Sequence, residues 1–321
     1  MVQKNGSYSR PKIVISKCLE FDACRYDGQM ISNKYIALLK NYVDFITVCP
    51  EVEIGMGTPR DPIRIIENKK VNTILYQPST GMNFGPKMNK FSKSFIKENE
   101  FIDGFIFKSK SPSCAIGSSK IYHNKESSIP VGTSSGLFTK EIISHYVNYP
   151  MEEETRFNNV FLREHFYTSI FTIADFKLVN DMKDLYSFHS KNKYLFMTYN
   201  QVLLKKMGNI AANLEKVKYK EVYKNYFKHL LIMFKRRPRY LSNINTLMHV
   251  FGYFKNNLSN KEKSFFLDQL DDYRHKKKPL SSITNILSSW IVKYDNKYLE
   301  KQSYFNSFPN ELVIFEESRL K

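Results

Sequence analysis

The chain has 321 residues, 42% of them apolar, with 12 Gly and 12 Pro; this composition excludes a fibre or a disordered segment and suits two domains, each with its own core. No run approaches the ~20 apolar residues of a membrane span, and the opening residues MVQKNGSYSRPK lack an apolar signal core, so a soluble, cytoplasmic protein with no membrane partner is expected. The net charge of +18 is lopsided: residues 1–180 carry +5, while residues 181–321 carry +13 from 26 Lys/Arg against 13 Asp/Glu, which points to a polyanion, nucleic acid first, as partner of the second half.

Short apolar runs alternate with helical spacing through the first half. Residues 12–16 (KIVIS), 45–48 (FITV), 72–76 (NTILY) and 104–108 (GFIFK) read as strands, with helices at 34–43 and 91–100 between them. Such alternation implies crossover units and a mostly parallel, Rossmann-like sheet. The acidic stretch 151–154 (MEEE) marks a junction, and 156–170 reads as a helix leading out of it. Beyond residue 181 the pattern is helical throughout, with helices expected at 184–197, 200–215, 219–235, 240–257, 261–275 and 281–294. Ser259 and Glu262 have capping-box spacing, and Pro238 and Pro279 each close a helix after a basic cluster. The expected fold is an α/β N-terminal domain followed by an all-α C-terminal domain.

All four cysteines, Cys18, Cys24, Cys49 and Cys114, lie in the first 114 residues. Cys18 follows the first strand run, Cys49 directly follows the second, and Cys114 comes six residues after the last. Open α/β sheets place ligands beyond the carboxyl ends of their strands, so three distant cysteines are expected to converge there. In a cytosolic protein a metal or catalytic use outweighs disulfides, although free Cys also serves as a small core residue. No spacing matches a zinc C-x₂-C pair or a compact ferredoxin run.

The cysteines sit in three distinctive segments. The first runs from Ser16 to Gly28 (SKCLEFDACRYDG), the second is Val48-Cys49-Pro50-Glu51-Val52 with the tail Gly57-Thr58-Pro59-Arg60, and the third is KSKSPSC, from Lys108 to Cys114. Together they resemble the DUF523 family, which includes the thiouracil desulfidases, over roughly residues 11–165. The second half resembles the DUF1722 family over about 185–315, through Phe188-His189-Ser190, Lys193-Tyr194-Leu195-Phe196-Met197, the segment from His249 to Phe254, Asp272-Tyr273-Arg274 and the segment from Tyr298 to Gln302. The domain organisation expected is therefore 1–165 for the iron–sulfur domain, 166–184 as connector and 185–321 for the basic helical domain.

The resemblance implies a [4Fe-4S] cluster held by Cys18, Cys49 and Cys114 with one iron open, Glu51 and Ser111 as catalytic residues, and removal of sulfur from a thiolated uracil, 4-thiouridine in tRNA foremost. Sulfur is a soft ligand suited to an open iron; water then replaces it at the ring carbon without electron transfer, and a carboxylate two residues from a ligand is placed to move protons. Against this, Glu51 pairing with Arg60 or Arg64, and Ser111 shaping a turn, are readings the residues alone allow. Cys24 is expected to be a neighbour of the cluster rather than a fourth ligand. Arg25, Asp27, Lys110 and Ser113 are substrate-contact candidates, with an Arg25–Asp27 ion pair as an equal reading of those two. His189 and His249 are read as hydrogen-bonded core residues. Lys235, Arg236, Arg237 and Arg239, and Lys276, Lys277 and Lys278, carry more charge than complementing a helix dipole requires and are read as RNA phosphate contacts. The competing functions are a desulfidase for free thiouracil, a non-catalytic iron–sulfur RNA-binding sensor, and a zinc-bearing structural protein.

Overall fold

A computed structural model describes residues 8–68 and 71–314. The chain divides into two compact units, the first spanning Ser9–Ala174 and the second Asp175–Asn310. None of the helices among the described residues is long and apolar enough to cross a membrane.

The first unit contains two four-stranded sheets. Strands β1 (Lys12–Ser16), β2 (Asp44–Val48), β5 (Gly104–Phe107) and β8 (Met151–Glu153) form an all-parallel sheet in the order β2-β1-β5-β8. β1 and β5 are central, and their residues from Ile13 to Ser16 and from Gly104 to Phe107 are all buried. This is why they read as continuous apolar runs: parallel strands covered on both faces have no polar side to alternate with. Short helices α1 (Lys34–Leu39) and α2 (Pro50–Glu53), and longer helices α3 (Gly85–Glu98), α4 (Leu137–His145) and α5 (Val160–Phe176), complete the unit. Its core joins Val14, Phe105 and Phe107 of the sheet to Met88 and Phe95 of α3 and Phe138 and Ile142 of α4.

Two expectations are corrected here. The run 72–76 does not enter the parallel sheet: as part of β4 (Val71–Tyr76) it pairs antiparallel with β3 (Arg64–Asn68) in a second sheet, ordered β4-β3-β6-β7 with β6 (Ser119–Tyr122) and β7 (Gly132–Ser134). The acidic stretch read as a junction is instead β8, the edge strand beside β5. Its charge hid it, because Glu153 points inward to bond backbone and hydroxyl groups rather than apolar neighbours.

The second unit is helical: α6 (Met182–Lys191), α7 (Lys193–Tyr199), α8 (Gln201–Ala212), α9 (Tyr219–Met233), α10 (Tyr240–Phe251), α11 (Asn260–Arg274), α12 (Leu280–Lys293) and α13 (Lys297–Glu300). The helix expected at 184–197 is broken at Asn192. That buried side chain donates to the Phe188 carbonyl at 2.9 Å and accepts from the Ser303 hydroxyl at 2.6 Å, ending α6 and starting α7 in a new direction. The Ser259–Glu262 capping box is formed at the head of α11. Aromatic packing dominates the core: Phe251 stacks on Phe266 at 4.6 Å, and Trp290 leans on both.

Candidate active site

The carboxyl ends of β1 and β2 and the loop after β5 surround one cavity of about 660 Å³ in the first unit. Cys18, Cys24, Cys49 and Cys114 all line it, all are buried, and none is in a disulfide. Cys18 follows β1 by two residues and Cys49 follows β2 directly, so the register that pairs Ser16 with Val48 brings these two thiols to the same edge.

Cys114 is set by its loop. The Ser111 hydroxyl accepts from the backbone N–H of Ser113 at 3.2 Å and of Cys114 at 3.1 Å, folding the segment over. Thr139 of α4 donates to the Cys114 carbonyl at 2.7 Å, and the Leu137 N–H donates to the Pro112 carbonyl. Helix α4 can come this close only because Gly136 precedes it: a Cβ there would lie 2.3 Å from the Ser113 carbonyl carbon and 2.6 Å from the Cys114 nitrogen. Glu153 and Glu154 buttress the loop from the other side. Glu154 accepts from the Ser109 N–H at 2.6 Å and from Lys108 Nζ at 2.6 Å, while Glu153 accepts from the Ile116 N–H and the Ser118 hydroxyl.

Glu51 sits in α2 beside Cys49 and is buried. Arg60 grips its Oε2 with Nε at 2.7 Å and Nη2 at 2.6 Å, and the Ser113 hydroxyl donates to Oε1 at 2.9 Å. Arg60 also donates to the carbonyls of Cys24 and Gly57 and reaches Cys49 Sγ at 3.9 Å. One guanidinium thus ties the Cys24 loop, Cys49 and Glu51 together. Removing one partner of such a buried pair typically costs about 3–5 kcal/mol, so the pair fixes geometry as well as charge.

The thiols differ electrostatically. A hydrogen bond with Cys24 pulls the Cys49 thiol down to about 7 against the opposing effect of burial, with the Val52 N–H and Arg60 assisting, and the same bond pushes the Cys24 thiol up. Burial, then the proximity of Cys49, pushes Cys18 up to about 12 while Lys108 pulls the other way. Burial also raises Cys114 far above its usual range, opposed by a bond with Ser16. Cys49 is therefore the thiol most ready to serve as a thiolate at neutral pH.

Of the substrate-contact candidates, Arg25 and Lys110 line the cavity. Arg25 pairs with Asp27 at 3.2 Å, and Ser113 lies behind Glu51 as its hydrogen-bond donor. The positive lining extends through Lys17, Arg64, Lys108 and Lys120, and among the described residues that line the cavity Glu51 is the one acid. Sequence reasoning allowed the Glu51–Arg60 pair but missed Arg60's hold on the Cys24 carbonyl and Cys49, and the bracing roles of Glu153 and Glu154. The signals available were the Arg60 tail of the second segment and the acidic run itself.

In the helical unit the two basic clusters differ. Lys235, Arg236, Arg237 and Arg239 are exposed in the connection between α9 and α10, and no ion pair engages them among the described residues. In the other cluster Asp272 pairs with Lys277 at 3.8 Å and with Lys278 at 3.2 Å, while Lys276 is exposed and no ion pair engages it among the described residues. His189 bonds the Tyr226 hydroxyl at 2.9 Å.

Three thiols from three chain segments at one cavity form a soft donor set. Among the described residues no three His, Cys, Asp or Glu side chains converge tightly enough for a single metal ion. Such a donor set fits a group that takes thiolate sulfur, an iron–sulfur cluster among them.

Comparison with known proteins adds five findings. The family described as 2-thiouracil desulfurase matches residues 13–154, and DUF1722, a family of unknown function, matches residues 193–309. Uncharacterized protein YbgA of Escherichia coli (strain K12) is 25% identical over 131 residues, covering 40% of this chain and 78% of YbgA. Uncharacterized protein YbbK of Bacillus subtilis (strain 168) is 30% identical over 131 residues, covering 39% of this chain and 85% of YbbK. Among solved structures, the [4Fe-4S]-dependent thiouracil desulfidase TudS is 22% identical with a TM-score of 0.38, covering 48% of this chain and 98% of its own.

Proposed function

Because the chain belongs to the 2-thiouracil desulfurase family over residues 13–154 and carries a DUF1722 domain over residues 193–309, we propose that it hydrolytically removes sulfur from a thiolated uracil carried on tRNA, 4-thiouridine first. The observation that carries this reading is the convergence of Cys18, Cys49, Cys114 and Glu51 on one cavity whose lining is otherwise strongly basic.

Cys18, Cys49 and Cys114 would hold a [4Fe-4S] cluster, which when bound supplies an iron free of protein ligands as a soft Lewis acid for the thiocarbonyl sulfur. The chain's own groups do the rest. Exchange of C=S for C=O consumes one water and releases hydrogen sulfide, so both protons must leave the attacking water and the departing sulfur must gain two. Glu51 is the acid–base group at hand, aimed by Arg60 on one oxygen and Ser113 on the other. Ser111 retains its own hydroxyl proton while accepting from two N–H groups, and can donate it to the pyrimidine. Lys110, Lys120 and Arg64 supply positive charge for the phosphates flanking the thiolated nucleotide. A base within folded tRNA must leave its stack to reach thiols buried as these are.

The test is anaerobic incubation of the reconstituted protein with thiolated tRNA, reading sulfide release and loss of thiouridine together. Both are expected at equal stoichiometry. Turnover of free thiouracil with none on tRNA would overturn the RNA part of the reading, and no sulfide from either substrate would overturn the enzyme.

A further inference from the structure

The segments through which the helical half resembles DUF1722 are spread from residue 188 to residue 302, yet four of them meet in one place. The Tyr194 hydroxyl of α7 bonds the Tyr253 hydroxyl, just past α10, at 2.9 Å, with the two rings edge to face at 6.3 Å. Tyr253 lies nearly parallel to Tyr298 of α13, with centroids 6.0 Å apart at 24°. Tyr298 also meets the Tyr194 ring edge to face at 6.3 Å. Gln302 locks the arrangement, donating to the Ser190 carbonyl at 2.9 Å and accepting from the Tyr194 N–H. Tyr186 stands one turn before Ser190 on the same face of α6.

Burial divides this group. Tyr194 is 3% exposed and anchors the cluster, whereas Tyr253 is 43% exposed and Tyr186 is 66% exposed. Core tyrosines hide their rings; these present them from a framework held by hydroxyl and amide bonds. The charges beside them favour an anionic partner. Lys193 is exposed with its Nζ 5.6 Å from the Tyr194 ring, and Glu300, the neighbouring acid, is paired with Lys297. The net charge of +13 over residues 181–321 draws the same class of partner.

We propose that Tyr186 and Tyr253, backed by Tyr298 and Tyr194, form a stacking platform for unpaired bases of an RNA. This rests on the reading that the thiolated uracil is carried on RNA, and it adds a second, uncharged mode of grip to phosphate contacts. Flat rings offer π-faces to any base without demanding a sequence, and the Tyr253 hydroxyl is already engaged by Tyr194. An aliphatic patch would instead favour another protein surface.

The test uses the full chain with two labelled probes, an unmodified tRNA transcript and a short single-stranded RNA. Tyr186→Ala and Tyr253→Ala are each expected to weaken binding of both by about 5- to 100-fold, the measured range for loss of one stacking ring. The log–log salt slope should stay at the wild-type value, because no phosphate contact is removed. Tyr253→Phe breaks the bond to Tyr194 but keeps the ring, and should bind within twofold of wild type; this separates stacking from a folding defect. Both Ala variants binding within twofold of wild type would overturn the proposal, as would a change of oligomeric state in Tyr186→Ala without RNA, which would make the patch a protein contact. Because neither probe carries sulfur, failure of the desulfidase reading shows separately, as absent sulfide release from thiolated substrates with RNA binding intact.

Discussion

The two units handle charge in opposite ways. In the α/β unit the decisive charges are inside: Glu51, Glu153 and Glu154 are buried, and each is spent on holding a cysteine-bearing segment in place. In the helical unit aromatic rings fill the interior, while Lys235, Arg236, Arg237 and Arg239 stand exposed without ion pairs among the described residues. Buried ion pairs are weak contributors to net stability but strong determinants of geometry, whereas exposed charges shape no fold and govern encounter with other charged molecules. The first unit is thus built for position and the second for attraction.

The sharpest way to break this contrast is to remove a thiol. Cys18→Ala, Cys49→Ala or Cys114→Ala should each abolish the visible absorption of the reconstituted protein and all sulfide release, while Cys24→Ala spares both. Loss of absorption in Cys24→Ala with retention in one of the other three would reverse the assignment. Next comes Glu51→Gln, expected to keep the absorption and lose about 10²–10⁴-fold in turnover. A rate within threefold of wild type would reduce Glu51 to a brace for Arg60.

A smaller effect belongs to the helical interior. Burial, then Lys193, pulls His189 down from 6.5 to about 4. A histidine held neutral in the folded state binds its proton more readily when unfolded, so its contribution is complete above about pH 6.5 and is lost as pH falls towards 4. Between pH 7 and pH 5 this amounts to roughly 2 kcal/mol. Urea titrations at the two values should show that decline in wild type and a flatter response in His189→Gln; equal slopes would mean His189 titrates normally. The smallest effect is expected from the Arg236, Arg237 and Arg239 triple Ala variant. Its tRNA-binding salt slope should become shallower by about 2 to 3 units, at about 0.7–0.9 per phosphate, with turnover of free thiouracil untouched. An unchanged slope would return this cluster to helix capping and leave Lys276 as the exposed alternative.

Much of this contrast was legible in the residues. The runs at 12–16, 45–48 and 104–108 announced parallel strands, buried in β1 and β5 and half-buried in β2, and Cys18 and Cys49 had to lie at strand ends because the apolar runs stop just before them. The second sheet escaped because SKIY and GTS are too short and too polar to signal pairing. β8 escaped because Glu153 is buried through hydrogen bonds, which periodicity does not register. The break at Asn192 depends on Ser303, 111 residues away, and no local pattern carries such a contact. The Glu51–Arg60 pair was one of the alternatives weighed; that Arg60 also holds Cys49 and the Cys24 carbonyl requires the loop's folded path.

The spacing of the three thiols also sets an entropic cost. Cys18, Cys49 and Cys114 are separated by 31 and 65 residues. A group bridging all three closes two long loops, and each closure costs chain entropy that grows with the logarithm of loop length. In the unfolded chain only the bonds to the bridging group offset that cost; in the folded unit the β2-β1-β5 pairing has already met it. The folded sheet therefore presents the three thiols at lower entropic cost than the open chain, although parallel pairings of this sequence separation are slow to form. A cofactor they shared would then be bound more readily by the folded unit. It then acts as a clasp, slowing the opening of strands whose separation would release it.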